Sequence, residues 1–358
     1  MAIPELQSKY EEAFDLLKSL IATQSFSREE HGTFKILCDF FKSRVIDFDT
    51  NGLNLWLKNK HYDPSKQTIL LNSHHDTVKP NKGYTKDPFS PIVEDDKLYG
   101  LGSNDAGGCL VSLIQTFLHF NQTDLPFNLV LAVTAEEEIS GKNGIASILN
   151  EIGQIDMAIV GEPTLMQMAA AEKGLMVLDC EATGEAGHAA REEGENAIYK
   201  AMRDIEWFRT YRFENESAYL GPIKMSVTQI EAGYQHNVVP DSCKFVVDVR
   251  TTDAYTNQVT LEIIQDRVAC DVKARSTRLN PSGVPEASVL RQAALNLGLE
   301  LYGSPTLSDQ ALIPAPSCKM GPGDSARSHT PDEFIYLHEI EEGIAGYIRF
   351  IEELVALQ

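Results

Sequence analysis

The sequence predicts an α/β protein with two parts: a three-layer domain on a mostly parallel, mixed sheet, and an inserted α+β domain of the ferredoxin-like type. Strand-like and helix-like segments alternate through residues 53–160, which is typical of a sheet covered on both faces. The order then changes to β-α-β-β-α-β over residues 174–275, the split arrangement of ferredoxin-like domains. The 358 residues also exceed the size that one compact core usually reaches.

The elements of the first part follow from hydrophobic periodicity and turn residues. The N-terminal segment is an amphipathic helix, and the apolar runs TILLN and FNLVLAVTA are typical of buried strands. The segment GCLVSLIQTFLHF is apolar over a length that indicates a buried helix. The predicted helices cover residues 29–46, 108–120 and 143–152, and the predicted strands cover residues 53–58, 68–72, 127–135 and 157–160.

The inserted part is predicted to begin and end between two segments of the first domain. Its predicted strands cover residues 174–183, 223–231, 242–250 and 270–275, and its predicted helices cover residues 197–213 and 257–268. We therefore expect one domain of residues 1–172 and 276–358 and a second of residues 173–275, because chain ends that lie close together tolerate insertions. Further helix is expected over residues 286–297 and within 318–358.

Composition excludes several classes of partner. Hydrophobic residues make up 43% of the chain and charged residues 23%, as in soluble globular proteins. A formal net charge of −21 argues against binding to nucleic acid or to an anionic membrane. The apolar runs are too short to span a bilayer, and no secretory signal is recognisable, so we expect a cytoplasmic protein with its six cysteines reduced.

Polar residues cluster where the predicted strands end, and ligands of α/β sheets gather at that edge. The clusters are His74-His75-Asp76, Glu136-Glu137-Glu138 and Glu162, with Asp105 before a helix and His329 in a late loop. Each alone is more commonly structural, and an acidic triplet is commonly a solvated turn. Together they supply two imidazoles and several carboxylates, a set that suits a divalent metal such as zinc. A cation would also let adjacent glutamates stay ionised.

Five ordered motifs resemble the M20 metallopeptidase family. SHHDTV is similar to the family's GHxDxV segment, and DPFSPIVEDDKLYGLGSNDAGG resembles the stretch around its metal-bridging aspartate. TAEEE resembles its DEE element, and GEPT and GPGDSARSHTPDE resemble its later ligand segments, the last most like the acetylornithine deacetylase branch. The resemblance includes GEAGHAAR and NVVPDSCKFVVDVR in the inserted domain.

This resemblance implies a site for two divalent metal ions, with zinc expected first and cobalt or manganese as alternatives. One ion would be bound by His74, Asp105 and Glu162. The other would be bound by Asp105, Glu138 and His329, so that Asp105 bridges the two. The resemblance also implies a cis peptide bond directly after Asp105.

Four neighbouring residues receive roles by the same resemblance. Glu137 matches the general base, and Asp76 matches an aspartate that orients the first ligand histidine. Glu136 occupies the remaining position of the triplet and is expected to be solvated. His75 fills a variable position and is expected not to bind metal.

The inserted domain is expected to act as a lid and a dimer platform. His188 resembles a histidine that stabilises the oxyanion, reaching the site on closure or from a partner subunit. Asn237 and Arg250 resemble positions that bind the substrate's α-carboxylate, although a domain salt bridge is an alternative for the arginine. For a succinyl group, Arg191 and Arg327 are candidates for a second cationic contact.

The expected function is hydrolysis of the amide bond of an N-acyl amino acid by a metal-bound water, in a homodimer that binds neither nucleic acid nor membrane. N-acetylornithine, an intermediate of arginine biosynthesis, is the first expectation. Succinyl-diaminopimelate, N-acyl-citrulline, N-acetyl-lysine and dipeptides are alternative substrates. A carboxylate-rich protein that binds metal without catalysis is a different class, which the presence of Glu137 opposes. A serine hydrolase would need a GxSxG element, which the sequence lacks.

Overall fold

The computed structural model describes residues 3–191 and 193–358, and the chain forms two compact units. The first unit ends at residue 170 and resumes over residues 283–302 and 308–358. The second unit comprises residues 171–282 and 303–307, so the insertion predicted at 173–275 lies within it. Within the described part of the chain, no helix combines the length and the apolar character needed to cross a bilayer.

A nine-stranded mixed sheet is the framework of the first unit. Its four central strands are parallel and the strands paired to either side of them are antiparallel, which confirms the predicted mixed, mostly parallel sheet. In spatial order the strands are Asp49–Asn51, Asn54–Lys58, Asn128–Thr134, Thr68–His74, Met157–Val160, Ser317–Lys319, Met168–Glu172 and Ser282–Gly283, with Leu301–Ser304 also paired to Met168–Glu172.

Helices cover both faces of this sheet, and alternate residues of one strand therefore enter two different cores. Ile69 and Leu71 pack in the larger core with the apolar helix Gly108–Phe120, whereas Leu70 packs in a smaller core with helix Ile145–Ile152. The central strands Thr68–His74, Asn128–Thr134 and Met157–Val160 are consequently buried on both faces and are largely apolar. The helices of this unit are Ile3–Ile21, His31–Ser43, Gly108–Phe120, Ile145–Ile152, Val289–Asn296 and Leu337–Ala356.

A small antiparallel sheet joins two distant segments of the same unit. Its strands are Ile92–Glu94, Lys97–Tyr99 and Phe334–Tyr336, with Lys97–Tyr99 in the centre. These strands were not predicted, because segments of three residues are too short to show a periodic pattern. Their pairing holds the segment before residue 100 against the segment that follows His329.

The second unit has the predicted β-α-β-β-α-β order. Its antiparallel sheet has the spatial order Lys224–Ala232, Ser242–Thr251, Gly174–Thr183 and Asp271–Ala274. Helices Ala197–Thr210 and Asn257–Arg267 pack on the face formed by alternate buried residues of the central strands. A two-stranded ladder joins Gly187–His188 to Val238–Val239.

Two predicted helices are observed with different ends. The helix predicted over residues 29–46 is His31–Ser43, and Val45 beyond it has a left-handed φ of 55°. The helix predicted over residues 286–297 begins later, at Val289, where the Ser288 side chain caps the helix by accepting the Leu290 N–H. All six cysteines are free thiols, and five of them are buried.

Candidate metal centre and active site

Three parallel strands of the first unit deliver acidic and imidazole side chains to one edge of the sheet. Strand Thr68–His74 lies between Asn128–Thr134 and Met157–Val160 and is parallel to both. Parallel strands end at the same edge, so the residues that follow them meet there. His74 is the last residue of the middle strand, and the glutamate triplet and Glu162 follow the two outer strands.

His74 faces three carboxylates through one ring nitrogen. Its Nε2 lies 3.5 Å from Asp105 Oδ1, 3.8 Å from Glu137 Oε2 and 3.9 Å from Glu162 Oε1. The His74 side chain is only 1% exposed, so water does not solvate this nitrogen freely. The spacing leaves room for an ion between the nitrogen and the carboxylate oxygens, since metal–ligand bonds are about 2 Å.

His329 occupies a corresponding position on the other side of Asp105. Its Nε2 lies 3.0 Å from Glu138 Oε2 and 3.6 Å from Asp105 Oδ2. The two oxygens of Asp105 therefore each face a different imidazole. The structure thus brings together all five residues that the sequence analysis assigned as metal ligands.

The surroundings of the buried His74 Nε2 show whether these five side chains suit a cation. Nδ1 lies 3.0 Å from the carbonyl oxygen of Asp76, whereas Nε2 has no hydrogen-bond partner among the described residues. A buried polar atom without a partner is costly and commonly marks a functional site. Two groups, His74–Asp105–Glu138 and His74–Glu137–Glu162, each have ligand atoms within 4.8 Å of one another. Imidazole and carboxylate groups so arranged fit a divalent transition metal.

Two glutamates of the site have raised pKa values because they are buried beside other anions. Burial raises the pKa of Glu137 well above its ordinary value, although the charge of His74 opposes this shift. Burial and the charge of Asp105 raise the pKa of Glu162 to about 8, and the charges of His74 and then Lys319 oppose this shift. Several anions in one buried site thus destabilise one another, and a divalent cation would stabilise their ionised form.

Asp76 holds both His74 and the turn that carries the glutamates. Its Oδ1 lies 3.4 Å from His74 Nδ1 and accepts the Glu137 N–H at 3.0 Å. Its Oδ2 accepts the Glu138 N–H at 3.2 Å and the Ser27 hydroxyl at 2.7 Å. One buried carboxylate therefore sets the relative position of an imidazole and two glutamates, as is common around metal sites.

The prediction that Glu136 is solvated is wrong. The residue is only 6% exposed, and its carboxylate accepts hydrogen bonds from the Asn143 amide at 2.8 Å and the Asn143 N–H at 3.3 Å. Its φ of 55° turns the chain sharply where the strand ends, and its own N–H donates to Glu30 at 3.1 Å. Glu136 therefore stabilises the turn that presents Glu137, a contact that a local sequence pattern does not reveal.

His75 and the peptide bond after Asp105 agree with the sequence analysis. Both ring nitrogens of His75 are engaged, Nδ1 with the Thr33 hydroxyl at 2.9 Å and Nε2 with the Leu53 carbonyl at 2.9 Å. Burial lowers the pKa of His75, so the neutral ring donates to the carbonyl and accepts from the hydroxyl. The peptide bond between Asp105 and Ala106 is cis.

His188 and Asn237 lie side by side in the second unit. His188 pairs with Val238 in the two-stranded ladder, and the Ala189 N–H donates to the Asn237 carbonyl at 3.1 Å. Both residues are exposed, so their side chains are accessible to a ligand.

The three arginines that were candidates for anion binding differ in their contacts. Arg250 donates from Nε and Nη2 to Asp248 at 2.9 and 3.2 Å, which makes it part of a local ion pair. Arg191 is exposed. Arg327 is only 14% exposed and donates to Glu339 at 2.6 Å, so its guanidinium is already paired.

Asp309 is a site residue that the sequence analysis missed. It is 3% exposed and accepts the Thr134 hydroxyl at 2.7 Å, at the end of the strand that leads to the glutamate triplet. Burial raises its pKa to about 6, and its charge in turn raises the pKa of Glu137. The only sequence signal was an acidic residue between Ser308 and Gln310 in the stretch SDQALIPAP, a pattern that fits many surface loops equally well.

Comparison with curated proteins gives relatives of modest identity. Acetylornithine deacetylase of Proteus mirabilis is 29% identical to this chain over 294 residues, which is 76% of each protein. Succinyl-diaminopimelate desuccinylase 2 of a Ruegeria species is 26% identical over 266 residues, covering 69% of this chain and 67% of that protein. The names of these two relatives specify different acyl groups, acetyl and succinyl.

Similar structures and a family sequence pattern match a larger share of the chain than these two relatives do. A dinuclear metal-binding peptidase of family M20 from Bacillus subtilis superposes with a TM-score of 0.72 at 16% identity, covering 98% of this chain and 99% of that chain, and this shows the fold. Residues 70–353 match the pattern of peptidase family M20/M25/M40. Because this match covers most of the chain, the protein belongs to peptidase family M20/M25/M40 and is a hydrolytic enzyme of the amidohydrolase type.

Proposed function

We propose that this enzyme binds two divalent metal ions, zinc first among them, and hydrolyses the amide bond of an N-acyl amino acid. N-acetylornithine is the substrate that we propose first, since an acetylornithine deacetylase is among the similar proteins. The observation that carries the proposal is the position of Asp105 between two imidazoles, with Glu137 beside one of them. This arrangement suits a pair of ions that share one carboxylate.

The ligands divide into two sets around that shared carboxylate. His74 and Glu162 would complete one metal site with Asp105, and Glu138 and His329 would complete the other. Two divalent ions held there would supply Lewis-acid activation of the attacking water and of the scissile carbonyl. Asp76 would fix the His74 ring so that Nε2 points into the site.

Glu137 is placed to act as the general base. Its side chain is 10% exposed, and its backbone is fixed through the hydrogen bond from its N–H to Asp76. It would accept a proton from the attacking water and then deliver that proton to the departing amine. The same carboxylate thus serves as base and as acid in one cycle.

The second unit would supply the contacts to the rest of the substrate. His188 would donate a hydrogen bond to the oxyanion, which is usually the largest electrostatic contribution to such a reaction. Asn237 and Arg250 would bind the α-carboxylate, for which a planar guanidinium offers paired N–H donors. Asp248 accepts from Nε and Nη2 of Arg250, so Arg250 would use its remaining guanidinium N–H groups for this contact.

A succinylated substrate is the second candidate. The similar succinyl-diaminopimelate desuccinylase 2 of Ruegeria supports it, and so does the exposed Arg191, three residues after His188. A terminal succinyl carboxylate would need a cationic contact that an acetyl group does not need. Arg327 is the less accessible of the two candidates, since it is 14% exposed and pairs with Glu339.

Hydrolysis of a substrate panel tests the proposed function. Zinc-loaded protein should be assayed against the N-acetyl and N-succinyl forms of ornithine, citrulline, lysine and diaminopimelate, together with dipeptides. We expect hydrolysis of N-acetylornithine to be the fastest, and Glu137→Gln to serve as the inactive control. A strong preference for succinyl forms that is lost in Arg191→Ala would favour the second candidate. Absence of amide hydrolysis across the panel would contradict the proposal.

Replacing His188 with alanine should lower kcat with little change in metal content. Loss of one oxyanion donor typically costs about 100-fold to 1000-fold in kcat. The measurement is steady-state kinetics on the best substrate beside metal analysis of the same preparation. The exposed His236 offers a matched control, and His236→Ala should retain most of the activity. Full activity of His188→Ala would remove this residue from the mechanism.

The second unit is also where we propose that two copies of the chain associate. Strand Lys224–Ala232 lies at one end of the sheet order, and an end strand offers backbone groups to another strand. Its Ile230 is 59% exposed, and an exposed isoleucine on such an edge favours burial against a partner.

A charge at Ile230 should therefore weaken self-association. We expect the unmodified protein to sediment as a dimer and Ile230→Lys to shift toward monomer at the same concentration. Leu295 is 53% exposed on a helix of the first unit and provides a control, because Leu295→Lys should leave the dimer intact. A monomeric unmodified protein, or a dimer unaffected by Ile230→Lys, would contradict this assignment.

A further inference from the structure

Glu333 is a buried carboxylate that the mechanism above does not use. It is 1% exposed and lies four residues after His329, directly before strand Phe334–Tyr336. We propose that Glu333 is a positioning residue that holds the loop carrying Asp105 in its metal-binding shape before any metal binds. This inference rests on the proposed two-metal site and assigns it a further residue.

The contacts of Glu333 converge on the loop that ends in Asp105. Its Oε1 accepts the N–H groups of Asn104 and Asp105, each at 2.9 Å, and its Oε2 accepts the N–H of Gly102 at 3.2 Å. Its own carbonyl accepts the Gly100 N–H at 2.9 Å. A single residue therefore binds four backbone N–H groups within six consecutive positions, which fixes the path of this loop.

The same contacts connect the segments that carry two of the ligands. Phe334 pairs with Tyr99 in the small sheet, so Glu333 is anchored next to the loop that it binds. From the other side, the Asn104 amide donates to the Asp324 carbonyl at 3.0 Å, and the Asp324 N–H donates back to Asn104 at 3.1 Å. The loop of Asp105 is therefore held from the His329 segment at two points.

The arrangement has a physical rationale in preorganisation. A bridging aspartate must present one oxygen to each ion, and a mobile loop would have to be ordered when the metals bind. A buried carboxylate is costly unless it is hydrogen-bonded, and here the backbone N–H groups supply these bonds. Glu333 therefore stabilises the loop conformation that places Asp105 for metal binding.

Metal binding by a conservative variant tests this inference. Glu333→Gln keeps the size of the side chain but places an amide NH₂ where one carboxylate oxygen accepted an N–H. Asp332→Asn is a matched control, because Asp332 likewise accepts backbone N–H groups, from Thr85 at 2.8 Å and Lys86 at 2.9 Å, but not from the Asp105 loop. Co²⁺ binding to metal-stripped proteins should be titrated calorimetrically, with thermal unfolding of each metal-free protein in parallel.

We expect Glu333→Gln to weaken Co²⁺ binding about 10-fold to 100-fold, the usual effect of losing a group behind the ligands, and Asp332→Asn to stay close to the unmodified protein. Equal Co²⁺ affinity in folded Glu333→Gln and unmodified protein would overturn the inference while leaving the two-metal site intact. Failure of the unmodified protein to bind Co²⁺ would overturn the proposed function, and this inference with it.

If Glu333→Gln does not fold, hydrogen exchange in the unmodified protein tests whether Glu333 holds the Asp105 loop. In the unmodified, metal-free protein the amides of Gly102, Asn104 and Asp105 should exchange slowly, because each already donates to Glu333. Exchange of these amides at the rate of an unstructured peptide, with protection only after metal is added, would overturn the inference.

Discussion

Replacing Glu137 with glutamine is expected to lower turnover at least about 100-fold while leaving the metal content unchanged, since general acid–base catalysis contributes on this scale. The amide is nearly the same size as the carboxylate, so it should fit the same buried position. It cannot accept a proton from the attacking water at neutral pH. The measurements are kcat on the best substrate and elemental analysis of the purified variant.

Its neighbour Glu136 provides the matched control for this change. Both side chains are largely buried, but the Glu136 carboxylate accepts hydrogen bonds from Asn143 and plays no part in the proposed chemistry. Glu136→Gln keeps an oxygen that can accept from Asn143 and should retain most of the activity. Near-normal turnover of metal-loaded Glu137→Gln would remove Glu137 from the mechanism.

Replacing Asp105 with asparagine should have the largest effect on metal binding. Asp105 presents one oxygen toward His74 and the other toward His329, and an amide replaces one of these oxygens by NH₂. We expect both ions to bind at least about 100-fold more weakly, which exceeds the usual effect of changing a residue behind the ligands. Hydrolysis should fall with them, and the measurement is metal titration of the stripped protein.

An aspartate away from the site controls for nonspecific effects of this change. Asp96 pairs with His338 on the surface, and its side chain is 47% exposed. Asp96→Asn should bind both ions as the unmodified protein does. If Asp105→Asn also binds two ions with unchanged affinity, Asp105 does not bridge them.

The architecture of the site could be predicted from sequence because its main determinants are local. Apolar runs in the sequence predict the strands. Polar residues directly after parallel strands lie at one edge of the sheet, and this places His74, Glu137 and Glu162 together. The motifs around Asp105 and His329 added two loops that periodicity alone does not place. The β-α-β-β-α-β order of the second unit is likewise a property of consecutive segments.

What the sequence did not reveal depends on contacts between distant segments. Arg327 is neutralised by Glu339, and Glu136 is buried against Asn143, although both residues look solvent-exposed in a linear reading. Asp309 contacts Thr134 across 175 positions of sequence. Such pairings are set by the tertiary fold, so no spacing rule identifies them in one sequence.

The central claim is that this chain hydrolyses an acylated amino acid with two metal ions, and one measurement tests it most directly. Metal-stripped protein is titrated with zinc while bound zinc per chain and hydrolysis of N-acetylornithine are followed in the same samples. The account predicts that two zinc ions bind per chain and that hydrolysis appears with them and is lost again on chelation. Full hydrolysis by the stripped protein, or saturation at fewer than two zinc ions per chain, would contradict it.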